Sequence, residues 1–188
     1  MKLVTYGNAA GGNNDRQQLG VLLDELAVLD VAAACRSCGL ETPAFVLSMQ
    51  ALIEAGADAL RLLAELVEAR PADALRSMAD LVLLAPLPRP VQMRDFANYE
   101  LHVRQALATS MAMRAAQQAD PQLALQQLKS SGAYDIPPVW YEMPLYFKCN
   151  RMSVVGPDAD VIWPRYAQVM DYELEMGAVI GRDRKSVV

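Results

Sequence analysis

The sequence has 188 residues, 53% of them hydrophobic and 21% charged, with a formal net charge of -5. That length and apolar content suffice to close a core and exclude a disordered polar tail, and the negative balance argues against a protein that binds nucleic acid by neutralising its phosphates. No apolar run has the length of a signal peptide or a membrane span, so a cytoplasmic protein with no membrane partner is expected.

In chain order, "KLVTYGN", "LGVLLD" and "LAVLDV" are short, β-branched or Leu-rich runs separated by the loop "NAAGGNND" and a turn at "DE". They predict a small antiparallel sheet ending near residue 31. The glycines of that loop do not match a phosphate-binding loop. From about 45 to 80 the spacing is helical: "FVLSMQALIEAGADALRLLAELVEA" repeats apolar residues every three and four positions, and Pro71 is read as opening a further helix. These helices are read as core packing. Cys35 and Cys38 form one C-x-x-C and Cys149 stands alone. No second pair exists to complete a structural zinc site, and free thiols near a helix end are expected.

Pro86, Pro88 and Pro90 in "LLAPLPRPVQ" predict an extended connector and a domain boundary. Beyond it, "MRDFANYELHVRQALATSMAMRAAQQ" predicts a long helix starting near Asp95, and it carries His102, the only histidine of the chain. On such a helix Asp95 and His102, seven apart, share nearly one face about 10.5 Å apart along the axis. Asp95 as a simple helix cap and His102 as a surface residue is the alternative reading.

Near the C-terminal end, "VMDYELEMGAVIG" sets Asp171, Glu173 and Glu175 at alternate positions. As a β-strand, with roughly 6.6 Å between residues i and i+2, it turns the three acids to one side and runs on into an apolar "GAVIG" that reads as buried. Crowded carboxylates repel one another unless a cation neutralises them, and an all-oxygen set selects a hard ion. A solvated strand face is the other possibility.

The second half of the chain resembles the fumarylacetoacetate hydrolase family. The likeness covers roughly residues 85 to 181 and rests on four elements in order: an Asp seven before a His, "P-x-W-Y-E-x-P", "N-R-x-S-V-V-G" and "D-Y-E-L-E". It implies an α+β protein, with a small N-terminal sheet and helical domain at 1–84 and a partial catalytic domain of the family's β-rich type at 85–188. It further implies a hydrolase cleaving a C–C bond in a β-dicarbonyl or acylpyruvate substrate, as in aromatic amino-acid catabolism. In that frame Asp95, Glu173 and Glu175 hold a divalent metal, Mg²⁺ first with Ca²⁺ or Mn²⁺ as alternatives, and His102 is the general base. Lys148 and Asn150 are carried as substrate contacts, against a plain solvated lysine. A small oxo-acid substrate and a homodimer complete the implied partners.

The chain departs from the family pattern in places. Phe147 stands where relatives often carry Tyr, Cys149 where Gly is common, and Gln105 where one branch pairs the histidine with Glu. Relatives also continue past the E-x-E segment, whereas this chain stops at "GRDRKSVV", so a truncated catalytic domain is expected. Two further readings stay open: an isomerase, hydratase or decarboxylase using the same site, and an inactive remnant that binds a partner chain.

Overall fold

The computed structural model describes residues 1–9 and 17–181. Most of the loop "NAAGGNND" and the tail "GRDRKSVV" lie outside them. The chain divides into two compact units, Met1–Pro90 with Met152–Val188, and Val91–Arg151. Strands and helices are segregated along the chain, and the α+β class holds.

In the first unit, β1 (Lys2–Asn8), β2 (Gln18–Leu22) and β3 (Ala27–Asp30) form the expected antiparallel meander. The sheet does not end there. β4 (Leu75–Ser77) pairs antiparallel with β3, and β5 (Leu81–Leu84) with β1, giving the order β4-β3-β2-β1-β5. The helix expected after Pro71 is therefore replaced by one 3-10 turn, Ala72–Ala74, leading into β4. The open edge of β3 decides this. Leu75 pairs with the fully buried Leu29, and a ladder satisfies backbone groups on both strands that a solitary helical turn leaves unpaired.

Leu19 and Val21 of β2 and Leu29 of β3 join one core with the helices α1 (Val31–Ser37), α2 (Met49–Ala55) and α3 (Ala57–Ala69). The helical pattern of 45–69 is thus two helices preceded by a 3-10 turn, Ala44–Leu47. Ser48 caps α2 through a hydrogen bond from the Ala51 amide (3.1 Å), and Gly56 breaks the run at φ 73° and ψ -142°, a backbone conformation that glycine adopts without the steric cost of a Cβ. Leu52, Leu63 and Leu66 are almost wholly inaccessible, each such burial contributing about 1.5–3 kcal/mol. Cys35 is buried in α1 and Cys38 caps its C-terminus; with Cys149 they are free, as expected. Burial pushes the Cys35 thiol above its ordinary pKa, with the neighbouring Cys38 adding to it, so Cys35 behaves as a small apolar residue.

Residues 152–181 form no helix or strand among the described residues. Gly156 rests against the end of β5: a Cβ there would lie 2.8 Å from the Leu83 carbonyl oxygen, so the glycine of "S-V-V-G" permits a close backbone approach. The strand expected over 169–181 is absent, and its apolar residues are not buried. Tyr172, Leu174, Met176, Val179 and Ile180 are all exposed. A strand exists only through its ladder, and no described strand pairs with this segment.

The second unit holds a two-stranded sheet of β6 (Arg94–Phe96) and β7 (Tyr146–Lys148), with α4 (Glu100–Ala116), α5 (Pro121–Ser130) and the single turn α6 (Val139–Glu142) between them in sequence. Asp120 caps α5 by accepting from the Leu123 amide (3.0 Å), and Pro121 takes the first helical position, where its missing N–H costs nothing. No helix among the described residues is long and apolar enough to cross a membrane.

Candidate active site

Asp95 does not start the long helix. It sits in β6 opposite Phe147, and α4 begins only at Glu100 with Tyr99 as its cap residue. The shared helical face expected for Asp95 and His102 is therefore replaced by a strand, a short link and a helix. The pairing of "RDF" with "YFK" explains the shift: three residues of ladder, extended by a hydrogen bond from the Ala97 amide to the Leu145 carbonyl (3.1 Å), hold Asp95 in extended backbone.

Opposed residues of an antiparallel pair share a face. Asp95, half-buried, thus shares its face with Phe147. Arg94, Phe96, Tyr146 and Lys148 occupy the other face, where the Phe96 and Tyr146 rings lie 5.5 Å apart and the Arg94 guanidinium stands 5.2 Å from the Tyr146 ring centre. The ladder consequently brings Phe147, not Lys148, beside Asp95. Asn150 follows two residues after β7 and is exposed.

His102 is exposed in the first turn of α4. Two positions to either side of it along α4, Glu100 and Arg104 belong to a cluster that spacing along the chain only half reveals. The Glu100 carboxylate accepts from Arg104 Nε (2.8 Å) and from the Tyr141 hydroxyl (3.0 Å). The Arg104 donors first, and the Tyr141 hydroxyl second, hold the Glu100 carboxyl below the usual carboxylate range. Partial desolvation and the hydrogen bond to Glu100 raise the Tyr141 phenol. The neighbouring Trp140 donates its indole N–H to the Ala97 carbonyl (2.6 Å). Glu100 and Arg104 are an i,i+4 pair and legible as such, but nothing in local spacing connects Trp140 and Tyr141 to residues some forty positions earlier.

On α4, the stripe Arg104, Leu107, Ala108 and Met111 lines a shallow recess with residues 134–136. At 100° per residue that stripe faces away from His102, so the recess is not where a substrate of His102 would lie.

Glu173 and Glu175 belong to the first unit. Both are exposed, and they can present carboxylate oxygens within 4.8 Å of one another. Oxygens that close can share one cation, and carboxylates are the donors that hard divalent ions prefer. The two glutamates can therefore serve as oxygen ligands to a hard divalent cation. Asp171 is turned to local use, accepting from the Tyr172 amide (2.8 Å).

Residues 92–188, just over half of the chain, match the family model described as Fumarylacetoacetate (FAA) hydrolase C-terminal. No curated protein matches the chain.

Proposed function

The chain belongs to the fumarylacetoacetate hydrolase family, and from that premise we propose that it is a metal-dependent hydrolase cleaving the C–C bond beside a carbonyl in a β-dicarbonyl or acylpyruvate acid. One observation carries the reading. The matched region contains Asp95, His102, "P-x-W-Y-E-x-P", "N-R-x-S-V-V-G" and "D-Y-E-L-E" in the family's order. Asp95, Glu173 and Glu175 would hold the divalent ion, Mg²⁺ or a slightly larger hard cation. Bound there, the ion supplies positive charge against the enolate that develops as the bond breaks.

The chain's own residues supply the proton chemistry. His102 takes a proton from water while that water's oxygen attacks the acyl carbonyl carbon. The C–C bond on the pyruvyl side then breaks, its electron pair remains as the enolate, and the imidazolium returns the proton to that carbon. Water and acylpyruvate thus give pyruvate and a carboxylate acid. Lys148 and Asn150 are carried as substrate contacts on the family's pattern. Two copies of the chain form the active species in this reading, supported by the exposed apolar residues between 161 and 180; sedimentation equilibrium reads the mass directly, and a monomer at all concentrations sinks that part.

The reaction is tested by incubating the chain with acylpyruvates and Mg²⁺ or Mn²⁺ and following products by NMR. Pyruvate appearing with the matching carboxylic acid is the expected outcome. An isomer, a hydrated product or loss of CO₂ moves the assignment to another reaction of the same site. No metal-dependent turnover leaves a partner-binding chain. In an active preparation His102→Ala is expected to lower kcat by about 10²–10⁴ with metal affinity nearly unchanged.

A further inference from the structure

The relation between Asp95 and His102 is set by the short link 97–99, which has no regular secondary structure between β6 and α4. One segment, 139–148, holds both ends of it. At the strand end, the Ala97 amide donates to Leu145, and the Ala97 carbonyl accepts from Trp140 Nε1 at 2.6 Å. At the helix end, the Tyr141 hydroxyl donates to the Glu100 carboxylate at 3.0 Å, while Arg104 grips the same oxygen from one helical turn further on. Trp140 and Tyr141 also brace one another edge to face, with ring centres 4.8 Å apart.

We propose that Trp140 and Tyr141 are positioning residues. The indole fixes the carbonyl two residues after Asp95, the phenol fixes the carboxylate two residues before His102, and together they set the strand bearing Asp95 against the helix bearing His102. The proposal rests on the roles given to those two residues above. Its physical basis is leverage. An exposed hydrogen bond adds little to stability, but a displacement of about 1 Å in a reacting group can lower a rate by about a hundredfold. It also accounts for two adjacent aromatic residues in a segment where neither is fully buried.

The test uses Trp140→Phe and Tyr141→Phe, which keep an aromatic ring at each position and delete the donors, Tyr141→Phe without other change and Trp140→Phe with a smaller ring, singly and combined. Because His102 is the only histidine, its imidazole gives one unambiguous carbon–proton NMR signal. In the double variant that signal is expected to shift and broaden, while kcat falls by about tenfold or more and KM stays within about twofold. A variant that melts lower, yet keeps the wild-type imidazole signal and kcat per folded molecule, overturns the proposal and leaves a structural role only. Should the double variant not fold, Tyr141→Phe alone carries the test, since Tyr141 is 57% exposed. If wild type itself shows no turnover, the proposed reaction fails, whereas the imidazole signal still decides whether the clasp positions His102.

Discussion

Gly20 shows how much one hydrogen atom can decide. A Cβ at that position would lie 2.5 Å from Val28 Cγ1 and 3.0 Å from the Tyr6 ring, both fully buried, on a sheet face that cannot yield without moving a strand. Gly20→Ala is therefore expected to cost about 1–3 kcal/mol by overpacking, read as a lower urea midpoint with an unchanged slope. An unaltered midpoint would mean that the sheet relaxes around the methyl group. Glu100 supplies a pH-dependent prediction. Its carboxyl is depressed by the Arg104 and Tyr141 donors, so the clasp is fully formed above the ordinary carboxylate range and is lost as pH falls through Glu100's lowered value. A carboxyl-carbon NMR titration of Glu100 is expected to give a midpoint below that of ordinary glutamate in wild type and closer to it in Tyr141→Phe. Equal midpoints in the two proteins would remove the phenol from the interaction.

At the scale of elements, Asp30 joins strand to helix. One of its oxygens accepts from the Ala33 amide at 2.9 Å and starts α1 directly from the end of β3, and the other receives Arg76 of β4 at 3.3 Å. Loss of such a cap costs about 0.5–2 kcal/mol, and the neighbouring Tyr6 hydroxyl shares the same buried surroundings. Asp30→Ala is expected to fall in the upper part of that range, measured by denaturant unfolding, and a change near zero would show that α1 is held by Val31, Ala34 and Cys35 alone. The elements that sequence patterning captured were those whose register follows from local alternation or from helical spacing: β1 to β3, and the helical run that the structure divides into α2 and α3 at Gly56. Besides α5 and α6, it missed β4, β5, β6 and β7, which are three or four residues long. Such runs have no period of their own and become strands only because an edge elsewhere accepts them.

For the whole molecule, the metal proposal makes a thermodynamic demand. An ion held only by the folded chain stabilises it by RT ln(1 + [L]/Kd), about 2.7 kcal/mol at a hundredfold excess over Kd. Millimolar Mg²⁺ or Mn²⁺ is expected to raise the melting temperature of wild type and not of the double variant Glu173→Gln, Glu175→Gln; identical responses would reduce those acids to a solvated segment. What the sequence offered of the candidate site was the order and identity of the residues that the family resemblance points to, Asp95, His102, Glu173 and Glu175. The site's local geometry was not legible there. Asp95 read as the start of a helix because the acid and the period behind it satisfy helix rules, and it became a strand residue through pairing with Phe147, fifty-two positions away. The segment 169–181 read as a half-buried strand because its residues alternate, yet alternation supplies only a suitable face and cannot supply a ladder partner. Sequence by itself therefore determined composition class, the helical core and the chemistry available to the site, since these depend on side-chain type and short-range spacing. Tertiary structure alone decided which short runs pair, how Trp140 and Tyr141 reach back to the link between β6 and α4, and which face Lys148 takes, since each of these depends on contacts between distant positions that no local pattern encodes.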